Sequence, residues 1–252
     1  MLSSNVCSSD RISEVLGPSR TLGWLRDVLG GLSDAILDHQ GVLVDYAGDE
    51  VMAMWGAPAE QPDHARLACR AARAMVDRLA DLNAHWQGVL GGPMAFGIGI
   101  NTGEARVGNV GSHRKFKYGL HGTTANLASR VQGATKYLRA GILVTAATRA
   151  ALGDEFALRR LCRIGVVNIE QPVELYELRP QPGPGWPALR DGYEKALTAF
   201  EEGDFRQAAG LLGNLLVDHP DDGPSLVLLS RAVQAVMEAG GEGGAVWRLP
   251  GK

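Results

Sequence analysis

Apolar positions near the start of the chain follow a helical period. Leu22, Leu25, Val28, Leu29, Leu32, Ile36 and Leu37 recur in steps of one helical turn, predicting a helix over 21–39 that Gly41 stops. The pattern then changes. Residues 41–58 are mostly apolar on both sides of Gly48-Asp49 and read as two strands joined by a tight turn. A second amphipathic helix is predicted over 63–86. Residues 93–101 alternate like a strand, with the small Gly97 and Gly99 on one face. Residues 106–118 read as a long hairpin arm bearing His113, Arg114, Lys115 and Lys117. A helix around Asn126 and Arg130 follows, then a buried strand over 141–145, a helix over 145–152 and a closing strand over 173–178. Hairpins and strands alternating with helices predict an α+β sandwich, helices over a mixed sheet.

Residues 180–187 hold four prolines in eight positions, which excludes regular helix and removes sheet donors. This is the expected linker between a domain over 1–179 and a smaller helical segment over 188–239. Two helical stretches, 193–200 and 205–217, are split by Glu202-Gly-Asp204, and a third is expected from Ser225. With Ala208 and Pro220 in place, the hairpin resembles one tetratricopeptide unit, a repeat that cannot bury its own face alone. It must pack on the main domain or on a partner protein. Residues 240–252 are Gly-rich and expected to form a flexible tail.

Composition narrows the setting. With 252 residues, 45% hydrophobic and 21% charged, the chain is that of a soluble globular protein. A net charge of -3 gives no case for nucleic acid or an anionic membrane as the main partner. Cys7, Cys69 and Cys162 are scattered and lack metal-ligand spacing, which indicates a reducing compartment. Nothing approaches the ~20 apolar residues of a membrane span, and no signal sequence is evident. A cytoplasmic location is expected.

Candidate chemistry centres on Tyr118-Gly-Leu-His-Gly-Thr-Thr-Ala-Asn126-Leu-Ala-Ser-Arg130. Asn126 and Arg130 stand four residues apart on a predicted helix, so both can reach one bound polyanion. Arg offers a permanently charged planar fork suited to phosphate oxygens. With Gly48-Asp49-Glu before Val51, Asp63-His-Ala at a helix start, and Gly97 through Gly111, this stretch resembles the catalytic domain of class III adenylyl and guanylyl cyclases. The resemblance covers roughly residues 10–178. It implies a ferredoxin-like cyclase fold, mainly antiparallel, and attack of a ribose 3′-oxygen on its own α-phosphate with release of pyrophosphate. It further implies ATP or GTP as substrate, two Mg²⁺ or Mn²⁺ ions per site, and a homodimer with the site between subunits. In that scheme Asp49 matches a metal ligand of one subunit. Asn126 matches the residue that orients the ribose, and Arg130 the one that stabilises transition-state charge, both from the other subunit.

Three positions depart from the family. Asn5 stands where the first metal Asp belongs, and the first strand reads as reduced to residues 1–4. Either this copy lacks that ligand or Met1 is an internal start in a longer gene. At the purine-selecting positions the chain has Asp45 and Gly119, where Lys with Asp or Thr selects adenine and Glu with Cys selects guanine. Asp45 is able to accept from a guanine edge, and is equally readable as a solvated strand residue. Val167-Asn168-Ile169 replaces the phosphate-binding Lys. The basic run over 114–117 is either a solvated arm or a replacement for that charge, lent by a neighbouring subunit. The implied activity is therefore a nucleotidyl cyclase acting on ATP, less favourably GTP; the alternative is a silent cyclase-like module that binds nucleotide or a partner and regulates it.

Overall fold

The alternation over residues 93–101 builds the centre of the molecule. Strand β4 (Phe96–Ile100) sends Phe96, Ile98 and Ile100 into one core, and Gly97 and Gly99 to the opposite face. The computed structural model describes residues 1–7, 9–167, 169–238 and 245–248. In it β4 lies between β1 (Leu2–Val6) and β7 (Ile142–Thr145). Beyond β1 come β3 (Glu50–Met54) and β2 (Val42–Ala47). Beyond β7 come β9 (Ile169–Arg179), β8 (Ala157–Val166) and β10 (Val246–Arg248). The β4–β7 and β8–β10 ladders are parallel and the others antiparallel, so the sheet is mixed and mainly antiparallel. A separate ribbon of β5 (Arg106–Ser112) and β6 (Lys115–His121) forms the hairpin arm.

Helices cover both faces. α1 (Ser9–Asp38) and α2 (His64–Leu90) bury Trp24, Val28, Leu32, Cys69 and Met75 against Leu2, Ile98 and Ile100. The other face is covered by α3 (Thr123–Leu138), together with α5 (Trp186–Glu201), α6 (Phe205–Asp218) and α7 (Gly223–Met237). A short α4 (Ala146–Ala150) follows β7. Tyr193, Phe200, Leu212 and Leu228 share one core with Val131 and Leu138 of α3 and Leu161 and Leu175 of the sheet. Each fully buried side chain of this size contributes about 1.5–3 kcal/mol. The C-terminal helices thus use the main sheet, rather than another protein, to bury their apolar face.

A buried ion cluster fastens this attachment. Arg159 of β8 is wholly buried. It donates from Nε to Glu177 of β9 at 3.0 Å and from both terminal nitrogens to Asp222 at 2.9 and 3.0 Å. Asp222 also caps α7 by accepting the Ser225 N–H at 3.0 Å. The guanidinium lies 4.7 Å from the Tyr193 ring centre and 5.4 Å from that of Trp186, so α5 is bound to the same residue.

Four expectations are corrected. The first strand runs five residues, Leu2–Val6, and is paired on both edges. α1 begins at Ser9, ahead of 21, because the chain re-enters helix after a break at Gly17 (φ 70°) and Pro18. β8 has no counterpart among the expected elements. Part of the expected tail returns to the sheet as β10, where burial of Trp247 against Phe200 holds it; the remainder, at 240–244 and 249–252, lies outside the described residues. Among the described residues no helix is long and apolar enough to cross a membrane.

Candidate active site

α3 is seated by missing side chains. A Cβ added at Gly99 would lie 2.2 Å from the Gln132 amide nitrogen and 2.5 Å from the Ala128 carbonyl oxygen. The helix backbone therefore rests directly on β4, an approach only glycine permits. Its N-terminal end is held by Asn101 Nδ2, which donates to the Thr124 carbonyl at 3.1 Å, and by the Thr124 hydroxyl, which donates to the Glu104 carbonyl at 2.6 Å. Gly99→Ala is expected to destabilise the fold by about 1–3 kcal/mol through overpacking against main chain that cannot rotate away. Thermal unfolding followed by circular dichroism checks this; an unchanged midpoint would show that α3 slides freely.

With the helix so fixed, its two sides differ. Ala128, Val131, Gln132 and Thr135 are buried against the sheet. Asn126 and Arg130 lie about half a turn round from them, are exposed, and form no hydrogen bond or ion pair with any described residue. The pair expected from the sequence is thus brought to one face, free to engage a ligand.

Asp49 lies in the turn between β2 and β3. It follows Gly48 (φ 64°), and its Oδ2 accepts the Val6 N–H at 2.9 Å. This places Asp49 beside the end of β1, where Asn5 sits in register with Gly97. Asn5 faces α3, and its Oδ1 accepts from Gln132 Nε2 at 3.1 Å. Neighbouring Glu50 accepts from the Ser3 hydroxyl at 2.7 Å and the Ser129 hydroxyl at 3.3 Å. Gln132, Ser129 and Glu50 thus support the site from behind, a role that sequence reasoning missed. The spacing 128, 131/132, 135 on the buried side of α3 was the available signal. Burial, reinforced by the Asp49 charge and opposed by Lys136, raises the Cys7 thiol above its ordinary pKa.

As a cation site these groups fit one hard divalent ion better than two. Asp49 supplies one carboxylate; Asn5 supplies only a neutral amide oxygen, already accepting from Gln132. Among the described residues no three His, Cys, Asp or Glu side chains gather into a closed cage, so substrate oxygens and water would have to complete the shell.

The remaining positions lie on the β2–β6 side. Gly119 is buried, and a Cβ there would lie 3.6 Å from Cγ1 of Val44, the residue before Asp45. Asp45 is partly exposed and ion-paired with Lys117 of the arm. That pairing also removes Lys117 from the basic run that would lend charge to a neighbouring subunit. Val167 and Ile169 occupy the β8–β9 connection and bring no cation; Asn168 lies outside the described residues.

Comparison with known proteins bears on the fold and the family. The family model described as "Adenylate and Guanylate cyclase catalytic domain" matches residues 1–179. The chain is 33% identical over 168 residues to Adenylate cyclase 1 of Rhizobium meliloti, covering 66% of this chain and 25% of that protein. It therefore spans about a quarter of that relative's length. The crystal structure of the adenylyl cyclase CyaB from P. aeruginosa superposes with a TM-score of 0.67 at 28% identity, covering 72% of this chain and 93% of the other. That of the guanylyl cyclase Cya2 gives 0.64 at 31% identity, covering 73% and 92%.

Proposed function

Because the chain belongs to the adenylate and guanylate cyclase catalytic domain family, we propose that it converts ATP, and less favourably GTP, to the 3′,5′-cyclic nucleotide as a cytoplasmic homodimer. The ribose 3′-oxygen bonds to the α-phosphorus, the α–β bridging bond breaks, and pyrophosphate leaves with that bond's electron pair. The 3′-hydroxyl proton passes to water. Asn126 orients the ribose, and Arg130 meets the negative charge that grows on the α-phosphate. Asp49, aided by the Asn5 amide, would hold Mg²⁺ or Mn²⁺; bound there, the ion supplies phosphate neutralisation and activation of the 3′-oxygen. The Asp45–Lys117 pair and Gly119 border the base.

The carrying observation is the separation of the two halves. Asn126 and Arg130 are exposed on α3 and bonded to no described residue, while Asp49 accepts from the Val6 N–H at the end of β1 and Asn5 and Glu50 accept from Gln132 and Ser129 of α3. No bond among the described residues joins Asn126 or Arg130 to Asp49, which supports a site completed by a second copy. The test is cyclic-nucleotide formation by the purified chain from ATP and from GTP, with Mg²⁺ and then Mn²⁺. Turnover abolished by Asp49→Ala supports the reading. Nucleotide binding without turnover in any condition refutes it.

A second reading has its own support: the neutral Asn5–Gln132 amide pair and the absent cation at Val167 and Ile169 describe a weakened or silent module. The tetratricopeptide-like helices would then serve a protein partner, with Val217 and Met237 left exposed on their outer side. Asn5→Asp separates the two readings. In a working cyclase it should raise Mg²⁺-dependent turnover at least about tenfold by restoring a charged ligand. No turnover from the Asn5→Asp protein would favour the silent module.

A further inference from the structure

Where α3 ends, three arginines meet without an acid. A cleft of about 340 Å³ opens between the end of α3, α7 and β10, lined by Tyr137, Arg139, Ser230, Arg231, Trp247 and Arg248 among others. Among the described residues no lining residue is acidic, and none of the three arginines forms an ion pair. We propose that this cleft binds a small phosphate-bearing anion, a second ligand site distinct from the one near the start of α3.

Nearby arginines provide the contrast. Arg159 is buried and answered by Glu177 and Asp222; Arg160 is half-buried and answered by Glu174 and Glu201. Arg231 is also half-buried, but it forms no ion pair with a described residue, and the Trp247 ring centre lies 4.2 Å from its guanidinium. Its Nε is shielded from solvent and has no hydrogen-bond partner among the described residues. Burial accordingly lowers its pKa, where the two paired arginines are raised. A half-buried cation without a counter-charge gains from a bound anion. Arg139 points the same way. It closes α3 in the left-handed conformation at φ 53°, ψ 40°, a position where glycine or asparagine would fit without strain. The side chain, not the backbone, is served by arginine there.

The chemistry suits phosphate. Three guanidinium forks offer paired donors to tetrahedral oxygens, and the Ser230 and Tyr137 hydroxyls lie in the same lining. The volume is that of a small phosphorylated metabolite rather than a macromolecule. Position gives the site a use. The helix that ends at Arg139 bears Asn126 and Arg130 near its start, and α7 and β10 belong to the chain beyond residue 179, outside the matched family segment. Occupancy would tie the C-terminal extension to α3. Binding itself does not depend on the cyclase reading.

The test is isothermal titration of the full chain with inorganic pyrophosphate and, separately, inorganic phosphate. It is done in chelator without divalent ions and in an Arg130→Ala background, so that the candidate active site does not contribute. One saturable site is expected for at least one of the two probes, weakened at least about tenfold by Arg231→Gln and also by Arg248→Gln, whose side chain is exposed and whose loss should spare folding. No binding of either probe up to about 10 mM, or unchanged affinity in Arg248→Gln and in folded Arg231→Gln, overturns the proposal. Equal affinity for citrate overturns the assignment to phosphate.

Discussion

Replacing Arg130 by alanine is expected to lower kcat for cyclic-nucleotide formation by about 10²–10³-fold while leaving the fold untouched. The magnitude is that of removing one positioned donor from a site where negative charge develops, about 3–4 kcal/mol of transition-state stabilisation. The selectivity follows from location. Arg130 is exposed and bonded to no described residue, so truncation leaves no buried partner unsatisfied. The unfolding midpoint should therefore match that of the parent chain, and KM should change much less than kcat because the charge it answers appears in the transition state. Asp49→Ala should be equally inactive by losing the carboxylate at the end of β1. Mixing the two inactive proteins tests the division directly. In a mixed dimer, one of the two sites regains both Asp49 and Arg130, so partial activity should return at a fraction set by random pairing. Two variants that stay inactive when mixed, though each is folded and dimeric, would mean that both residues serve one chain's site.

Much of this site is legible in the sequence because its residues lie close together along the chain. Asn126 and Arg130 share a helical face by spacing alone. The Gly48-Asp49 turn is marked by apolar strands on both sides, and Gly97 and Gly99 by strand alternation. What escapes the sequence depends on contacts between distant segments. Gln132 reaches Asn5 across 127 positions, and Lys117 reaches Asp45 across 72. No local period reports such meetings. β8 is hidden for another reason. Its alternation is interrupted by irregular registers at Arg160/Cys162 and Ile164/Val166, and its arginines suggest a solvated segment. Yet Arg159 is buried, because its acids come from β9 and from the residue before α7. β10 is three residues long, with Trp247 as its one buried side chain, below what any pattern of periodicity can detect.

That buried arginine makes the second large effect. Arg159→Ala is expected to destabilise the chain by about 3–5 kcal/mol, the usual result of leaving buried carboxylates without their cation. For a chain of this length that corresponds to a fall in Tm of roughly 6–20 °C. Three losses coincide: Glu177 and Asp222 lose their hydrogen bonds, the Tyr193 and Trp186 rings lose the guanidinium between them, and α7 loses the orientation of its cap. Because α5 and α7 share a core with Val131 and Leu138, α3 should loosen with them, and turnover should fall although Arg159 touches no substrate. The pH response has a definite sign. Burial pushes Asp222 upward, but hydrogen bonds from Arg159 and Ser225 outweigh it and hold the carboxyl below its usual value of 3.8. Its stabilisation is complete above that unfolded value and is lost as pH falls through the depressed folded one. The parent chain should thus lose more Tm than Arg159→Ala between pH 6 and pH 3, and the gap between the two proteins should narrow in acid. A gap that stayed constant with pH would show that packing around Tyr193 and Trp186, not the ion cluster, accounts for the loss.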